Sequence, residues 1–195
     1  HDTMDGVWQA AAAAEELGVA FISGVEISTG WGGRVVHIVG LGLDPCAPGI
    51  DAFFNSICIK RDKRGRLIGE RFESLYGIRG AYEGALSLAD EKDNLSRTHF
   101  ARWLMQEGIV KEYQKAFDRF LKTGRPCCVD IDWPGLAEVV EVIHHSGGVA
   151  VIAHPGRYAF SEPWMLDEFL KAFKEAGGEA IEVCSGSQSR EADLF

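Results

Sequence analysis

Side chains able to hold a cation or an anion recur beside the apolar runs of this chain. Val149–Tyr158 reads "VAVIAHPGRY", a small and branched apolar run that passes directly into a histidine, a proline, a glycine and an arginine. A buried strand has no use for an imidazole or a guanidinium, whereas a site at the end of a strand does. His154 follows that run, Glu26 lies near the end of "VAFISGVEIS", His37 lies within "RVVHIVGLG", and His1 opens "HDT". Imidazoles with a carboxylate suit zinc, manganese or iron. The four sit on separate segments, which is how an α/β barrel assembles a site from the carboxyl ends of its strands. On spacing alone, a metal site and a set of hydrogen-bonded core residues account for them equally well. His37 alone reads first as a core histidine. Glu26 is harder to place that way, because a carboxylate in an apolar strand is costly unless paired or metal-bound. Beside His154, Gly156 lets the backbone approach a ligand closely, and Arg157 can grip a phosphate through two parallel hydrogen bonds.

A second group lies mid-chain. Ser96 can cap a helix that opens with Arg97 and His99, with Arg102 one turn on. That helix end suits an anion and a solvated face equally. Lys60–Arg66, "KRDKRGR", is the one basic run. It could guide a phosphodiester backbone, but no aromatic residue interleaves it as a stacking platform for single strands would, so a solvated helix face is the favoured reading. His144 and His145 fall late in a helix, where imidazolium favours the helix dipole. There is no Gly-x-Ser-x-Gly elbow, Walker loop or Gly-x-Gly-x-x-Gly fingerprint. The five cysteines contain no Cys-x-x-Cys, which argues against a disulfide framework or a thiolate zinc site and for the reduced thiols of a cytoplasmic protein.

These side chains need a frame. Trp8–Leu17 reads as a helix closed by Gly18. Val19–Ile27 and Arg34–Leu43 read as strands joined through a glycine turn. From Ile50 to about Gly124 the pattern becomes helical, charged and aromatic, as in an inserted helical block, with helices expected over 57–76, 97–106 and 112–121. After Pro134 helix and strand alternate: helix 135–146, strand 149–153, helix 162–176, strand 180–183. Such alternation predicts a parallel sheet or barrel.

The 195 residues are 46% hydrophobic and 25% charged, enough for a sizeable core. No apolar run approaches the roughly 18 residues that a membrane span needs. A net charge of −9 argues against a protein that coats nucleic acid non-specifically. It leaves room for nucleotides held through metal ions, because bound cations reverse the local field.

"HDTMDGV", "GVEIS" followed by "VHIVGLG", "RTHFARWLMQEG", "IHHSGGVAVIAHPGRY" and "IEV" occur in the order found in the PHP-domain (polymerase and histidinol phosphatase) phosphoesterases. The resemblance covers essentially the whole chain and is strongest to the bacterial RNase AM branch, 5′-to-3′ exoribonucleases that also hydrolyse nucleoside 3′,5′-bisphosphates. It implies a distorted (β/α)7 barrel at 1–49 and 131–195, interrupted by a helical insertion at 50–130. It implies a hydrolase using divalent ions, commonly manganese and up to three. His1, Glu26, His37 and His154 match the family's metal ligands, with Glu26 bridging and with Glu26 and His154 catalytic. Asp2 is expected to orient ligands. Arg157, Arg97 and His99 match positions suited to substrate phosphate. The implied substrate is short RNA or a nucleotide, with no protein partner and no membrane. The family's His-x-His strand end and Asp-x-His segment are absent from the sequence, so the chain is expected to be a fragment with an incomplete barrel. A small-molecule phosphomonoesterase of the histidinol-phosphatase kind, or an inert fragment, are the other readings.

Overall fold

The computed structural model describes residues 1–89, 95–158, 160 and 162–184. The chain forms two compact units, His1–Phe54 with Trp133–Phe195, and Asn55–Asp132.

In the first unit, α1 (Val7–Leu17) ends at Gly18, whose φ of 66° gives the left-handed C-cap that glycine adopts without a Cβ clash. β1 (Gly24–Trp31) and β2 (Arg34–Leu41) form an antiparallel hairpin. Its two-residue turn, Gly32 and Gly33, has positive φ at both positions, which matches the right-handed twist of the strands it joins. β1 begins at Gly24 rather than at Val19. Gly24 pairs with Leu41, the last residue of β2, so nothing on that strand remains for Val19–Ser23 to pair with.

β3 (Val149–Ile152) pairs antiparallel with β2, and β4 (Ala180–Ile181) pairs parallel with β3, giving the order β1-β2-β3-β4 among the described residues. The fold is therefore mixed α/β, and among the described residues β3 and β4 pair parallel whereas β1–β2 and β2–β3 pair antiparallel, so this sheet is not purely parallel. A two-residue turn can join only antiparallel strands, whereas the helix α7 (Pro163–Glu175) between β3 and β4 supplies the crossover that a parallel pair needs.

Side chains alternate across each strand. Val25, Ile27, Val36 and Ile38 are buried on one face of the hairpin. The helix α6 (Leu136–His145) presents Leu136, Val139, Val140 and Ile143 to the core at helical spacing. Gly40 lies on the Val36 and Ile38 face, and a Cβ there would meet the Ile143 side chain at 3.0 Å, so α6 packs directly on this sheet. The alternation sends Glu26, Ser28 and His37 to the opposite face. Where the chain re-joins this unit, Gly30 N–H donates to the Pro134 carbonyl at 2.9 Å.

The second unit is helical: α2 (Ile50–Tyr76) from Asn55 onward, α3 (Ala81–Ser87), α4 (Arg97–Gln106) and α5 (Tyr113–Ala116), which runs into a π-helical turn at Phe117–Leu121. The helix expected over 112–121 is thus divided, and the turn leaves both Phe120 and Leu121 buried. Phe72 of α2 lies between Phe100 at 6.3 Å and Phe120 at 5.4 Å, at the centre of a core that includes Ile68, Leu104 and Cys127. No helix among the described residues is long and apolar enough to cross a membrane.

Candidate metal centre

The face of β1 and β2 opposite α6 carries the side chains that could do chemistry. Glu26 Oε1 lies 2.9 Å from His37 Nδ1 and 2.9 Å from His154 Nε2. Those two nitrogens are 3.2 Å from one another. Glu26 Oε2 lies 3.4 Å from His1 Nε2. The structure thus brings together the four residues His1, Glu26, His37 and His154 from four separate segments. His1, Glu26 and His37 each offer a ligand atom within 4.8 Å of the others.

The spacing fits a shared cation better than a hydrogen-bond network. Bonds of about 2.1 Å to one ion place neighbouring ligand atoms roughly 3.0–3.4 Å apart in octahedral or tetrahedral geometry. Without a cation, Glu26 Oε1 accepts from both imidazoles only if His37 and His154 bring two N–H groups within 3.2 Å of one another, whereas one cation is shared by all three atoms. His154 Nδ1 is moreover buried without a hydrogen-bond partner, so no tautomer of His154 is fully satisfied within the protein. A nitrogen and oxygen donor set of this kind suits a divalent first-row ion.

Each ligand is placed by local structure. Asp2 is fully buried and adopts φ 62°, a left-handed conformation that aspartate tolerates. Its carboxylate accepts from Ser28 N–H at 2.6 Å and Ser28 Oγ at 2.9 Å, and its own N–H donates to the Glu26 carbonyl at 3.0 Å. These bonds stitch the first residues to β1 and hold His1 beside Glu26. His154 ends the β3 segment at φ 30°, ψ 58° and precedes a 3₁₀ turn, Pro155–Arg157. Its N–H donates to Glu182 Oε2 at 2.6 Å. Tyr158 Oη accepts from His37 N–H at 2.7 Å and lies 3.3 Å from the His37 carbonyl. Neither Tyr158 nor Glu182 was marked as a site residue by the sequence, although both lie in its quoted motifs, "HPGRY" and "IEV".

Burial opposes ionisation of Glu26, but hydrogen bonds and charge from His37 and His154 outweigh it and bring its pKa down to about 2. The carboxylate is therefore anionic at neutral pH and ready for a cation. Burial lifts the Tyr158 phenol to about 12, so its hydroxyl keeps its proton.

Arg157 is exposed on the 3₁₀ turn that follows His154. Arg97 and His99 belong to the second unit and have partners there. His99 Nδ1 accepts from Ser96 N–H at 3.1 Å in a capping arrangement. The Arg97 guanidinium donates to the Leu121 carbonyl at 3.1 Å and reaches Cys128 Sγ at 3.6 Å. His144 lies in the last turn of α6 and contacts Glu179 at 3.0 Å.

The basic run does not form a solvated face. Lys63 and Arg66 point outward, but Arg61 is only 7% exposed and Arg64 is half-buried. Arg61 falls at helical spacing from Ile57 and Ile68, so it shares their inward stripe. Arg64 donates to the Val129 carbonyl at 2.9 Å. Burial, and then the charges of Arg97 and Arg61, lower the Arg64 pKa to about 10. Three arginines thus gather in the helical unit, beside Cys128 and Asp130. A Lys/Arg count along the sequence could not separate inward from outward residues. The helical phase of the run against Ile57 and Ile68 could have.

No family model matches the chain. It is 43% identical over 97% of its length to a 3′,5′-nucleoside bisphosphate phosphatase of Chromobacterium violaceum, covering 66% of that protein. It is 40% identical over 98% of its length to a 5′-3′ exoribonuclease of Haemophilus influenzae, covering 68% of that protein. The chain therefore spans about two thirds of the length of these relatives. Among solved structures, it matches an amidohydrolase from Chromobacterium violaceum with bound sulfate at TM-score 0.92 and 42% identity, over all of this chain and 68% of that one. It also matches a metal-dependent phosphoesterase from Bifidobacterium adolescentis at TM-score 0.85 and 26% identity, again over all of this chain and 68% of that one. With a histidine and carboxylate cluster suited to a divalent ion and relatives of this identity over nearly its full length, the chain belongs to the PHP-type phosphoesterases.

Proposed function

We propose that the protein is a divalent-metal-dependent phosphoesterase of nucleotides, a 5′-to-3′ exoribonuclease on short RNA that also hydrolyses nucleoside 3′,5′-bisphosphates. The carrying observation is the convergence of His37 Nδ1 and His154 Nε2 on one oxygen of Glu26. In this reading the sheet is part of a distorted (β/α)7 barrel, 50–130 is its helical insertion, and the protein is cytoplasmic. His1, Glu26, His37 and His154 hold the metal, with manganese the ion of choice. When bound, the metal neutralises phosphate oxygens and lowers the pKa of water near phosphorus.

The chain's own residues supply the rest. Glu26 enters the reaction as an anion, because His37 and His154 hold it so. Arg157, three residues beyond His154, holds non-bridging oxygens of the reacting phosphate. Arg97 is a further phosphate contact in this reading, by its place in the family motif. His99 shapes the start of the Arg97 helix. The sulfate in the Chromobacterium violaceum structure, an anion of phosphate's shape, agrees with a phosphate-binding role for this fold.

Rates on a nucleoside 3′,5′-bisphosphate and on a short 5′-phosphorylated RNA, measured side by side with manganese, test the proposal. Both substrates should turn over, and His154→Ala should abolish both. Turnover of neither, with metal bound, would refute it. Release of phosphate from the bisphosphate alone would restrict the protein to the phosphatase activity that names one of its relatives.

A further inference from the structure

β3 stops pairing at Ile152, opposite Ile38, while β2 runs on through His37 to Arg34. The main chain of His37 therefore lies at the margin of the β2–β3 ladder. Its carbonyl accepts from Ala153 N–H at 3.1 Å, the last main-chain bond before the chain turns away. Among the described residues its N–H finds no strand on that side and donates to Tyr158 Oη at 2.7 Å, while the same hydroxyl donates back to the His37 carbonyl at 3.3 Å. One side chain thus takes the place of a missing strand. It does so beside His154, with the two rings edge to face at 5.5 Å. The Tyr158 ring is in turn fixed by Phe160 at 5.8 Å and Phe169 at 6.0 Å.

The turn at His154 needs support of its own. Its left-handed φ of 30° is unfavourable for a residue with a Cβ. Glu182 supplies that support from the end of β4. Its N–H donates to the Ile152 carbonyl at 2.9 Å, and its Oε2 accepts the His154 N–H at 2.6 Å. The residue whose main chain continues the β3–β4 pairing thereby locks the turn with its carboxylate.

We infer that Tyr158 and Glu182 are positioning residues of the metal centre: the Tyr158 hydroxyl fixes the His37 main chain and the Glu182 carboxylate fixes the turn at His154, so that both imidazoles converge on Glu26. This inference rests on the metal-centre reading above. Neither side chain is a ligand in it; each acts through the backbone of one.

The test is manganese affinity of the purified, metal-free protein by calorimetry, with a thermal melt of each variant. Tyr158→Phe and Glu182→Ala should each weaken manganese binding by about 10–100-fold, the range for outer-shell partners of metal ligands. Glu182→Gln retains a carbonyl oxygen that accepts the His154 N–H, and should stay within about threefold of the parent protein. Parent-like affinity in both Tyr158→Phe and Glu182→Ala would overturn the inference. So would a Glu182→Gln loss as large as that of Glu182→Ala. If Tyr158→Phe does not fold, the Glu182 pair decides alone. Glu26→Gln separates the two levels. If it leaves manganese affinity unchanged, the metal centre itself is wrong. If it abolishes binding while Tyr158→Phe and Glu182→Ala do not, only the positioning role is wrong.

Discussion

Glu26 and His154 stand 128 residues apart in the chain and 2.9 Å apart in space. The carboxylate comes from a strand edge that α6 leaves uncovered, and the imidazole comes from a left-handed turn at the end of β3. Their contact requires the hairpin, the β2–β3 pairing and the turn to form together.

The same contact predicts how stability depends on pH in the metal-free protein. The folded-state pKa of Glu26, about 2, lies below its ordinary value of 4.5. A depressed carboxylate contributes stability that is fully present above the ordinary value and is lost as pH falls through the folded one. Denaturant titrations with chelator present should show this contribution disappearing between about 4.5 and 2, and Glu26→Gln should lack it. An identical acid limb in the parent and Glu26→Gln would contradict the ion-pair geometry.

The arginine cluster predicts an effect on stability. Arg61→Met keeps the stem that packs on α2's inward stripe and removes one of the two like charges beside Arg64. The melting temperature should hold or rise, read by a thermal melt against the parent protein. A marked fall would mean that the Arg61 charge is well paired in the folded state.

Among the glycines of the helical unit, Gly84 leaves the least room for a side chain. A Cβ there would stand 2.0 Å from Trp103 Nε1 and 2.4 Å from two ring carbons. A rigid indole cannot yield as a flexible chain end can. Gly84→Ala should therefore destabilise the protein by about 1–3 kcal/mol, as overpacking does, measured by urea unfolding.

Thiol reactivity should follow burial. Cys46 and Cys184 are exposed, whereas Cys127 is buried and its thiol is pushed up to about 11. Brief alkylation at neutral pH, read by peptide mass spectrometry, should label Cys46 and Cys184 well before Cys127. Early labelling of Cys127 would mean that the helical core opens readily.

Much of this site was legible from residue types. A carboxylate in an apolar strand and a His-Pro-Gly-Arg at a strand end are costly choices for a core, and Glu26 and His154 lie together in the cluster, with Arg157 on the exposed turn that follows. The elements around them follow from local pattern: α1 with its Gly18 cap, the hairpin with its glycine turn, and α6 with its apolar stripe. The direction of the β2–β3 pair was not legible. The short glycine turn marked β1–β2 as antiparallel and the intervening helix marked β3–β4 as parallel, but a long connection such as that between β2 and β3 permits either direction.

The sequence by itself determined which side chains were available and the face of each strand they occupy, because the period-2 alternation is a local property. It also determined the caps and turns, which depend on a few neighbouring residues. Tertiary structure alone decided that Tyr158 would complete the edge of His37 and that Glu182 would hold His154. Those are contacts between segments far apart in the chain. Such contacts depend on register and on the helical phase of the whole fold, which no local pattern encodes.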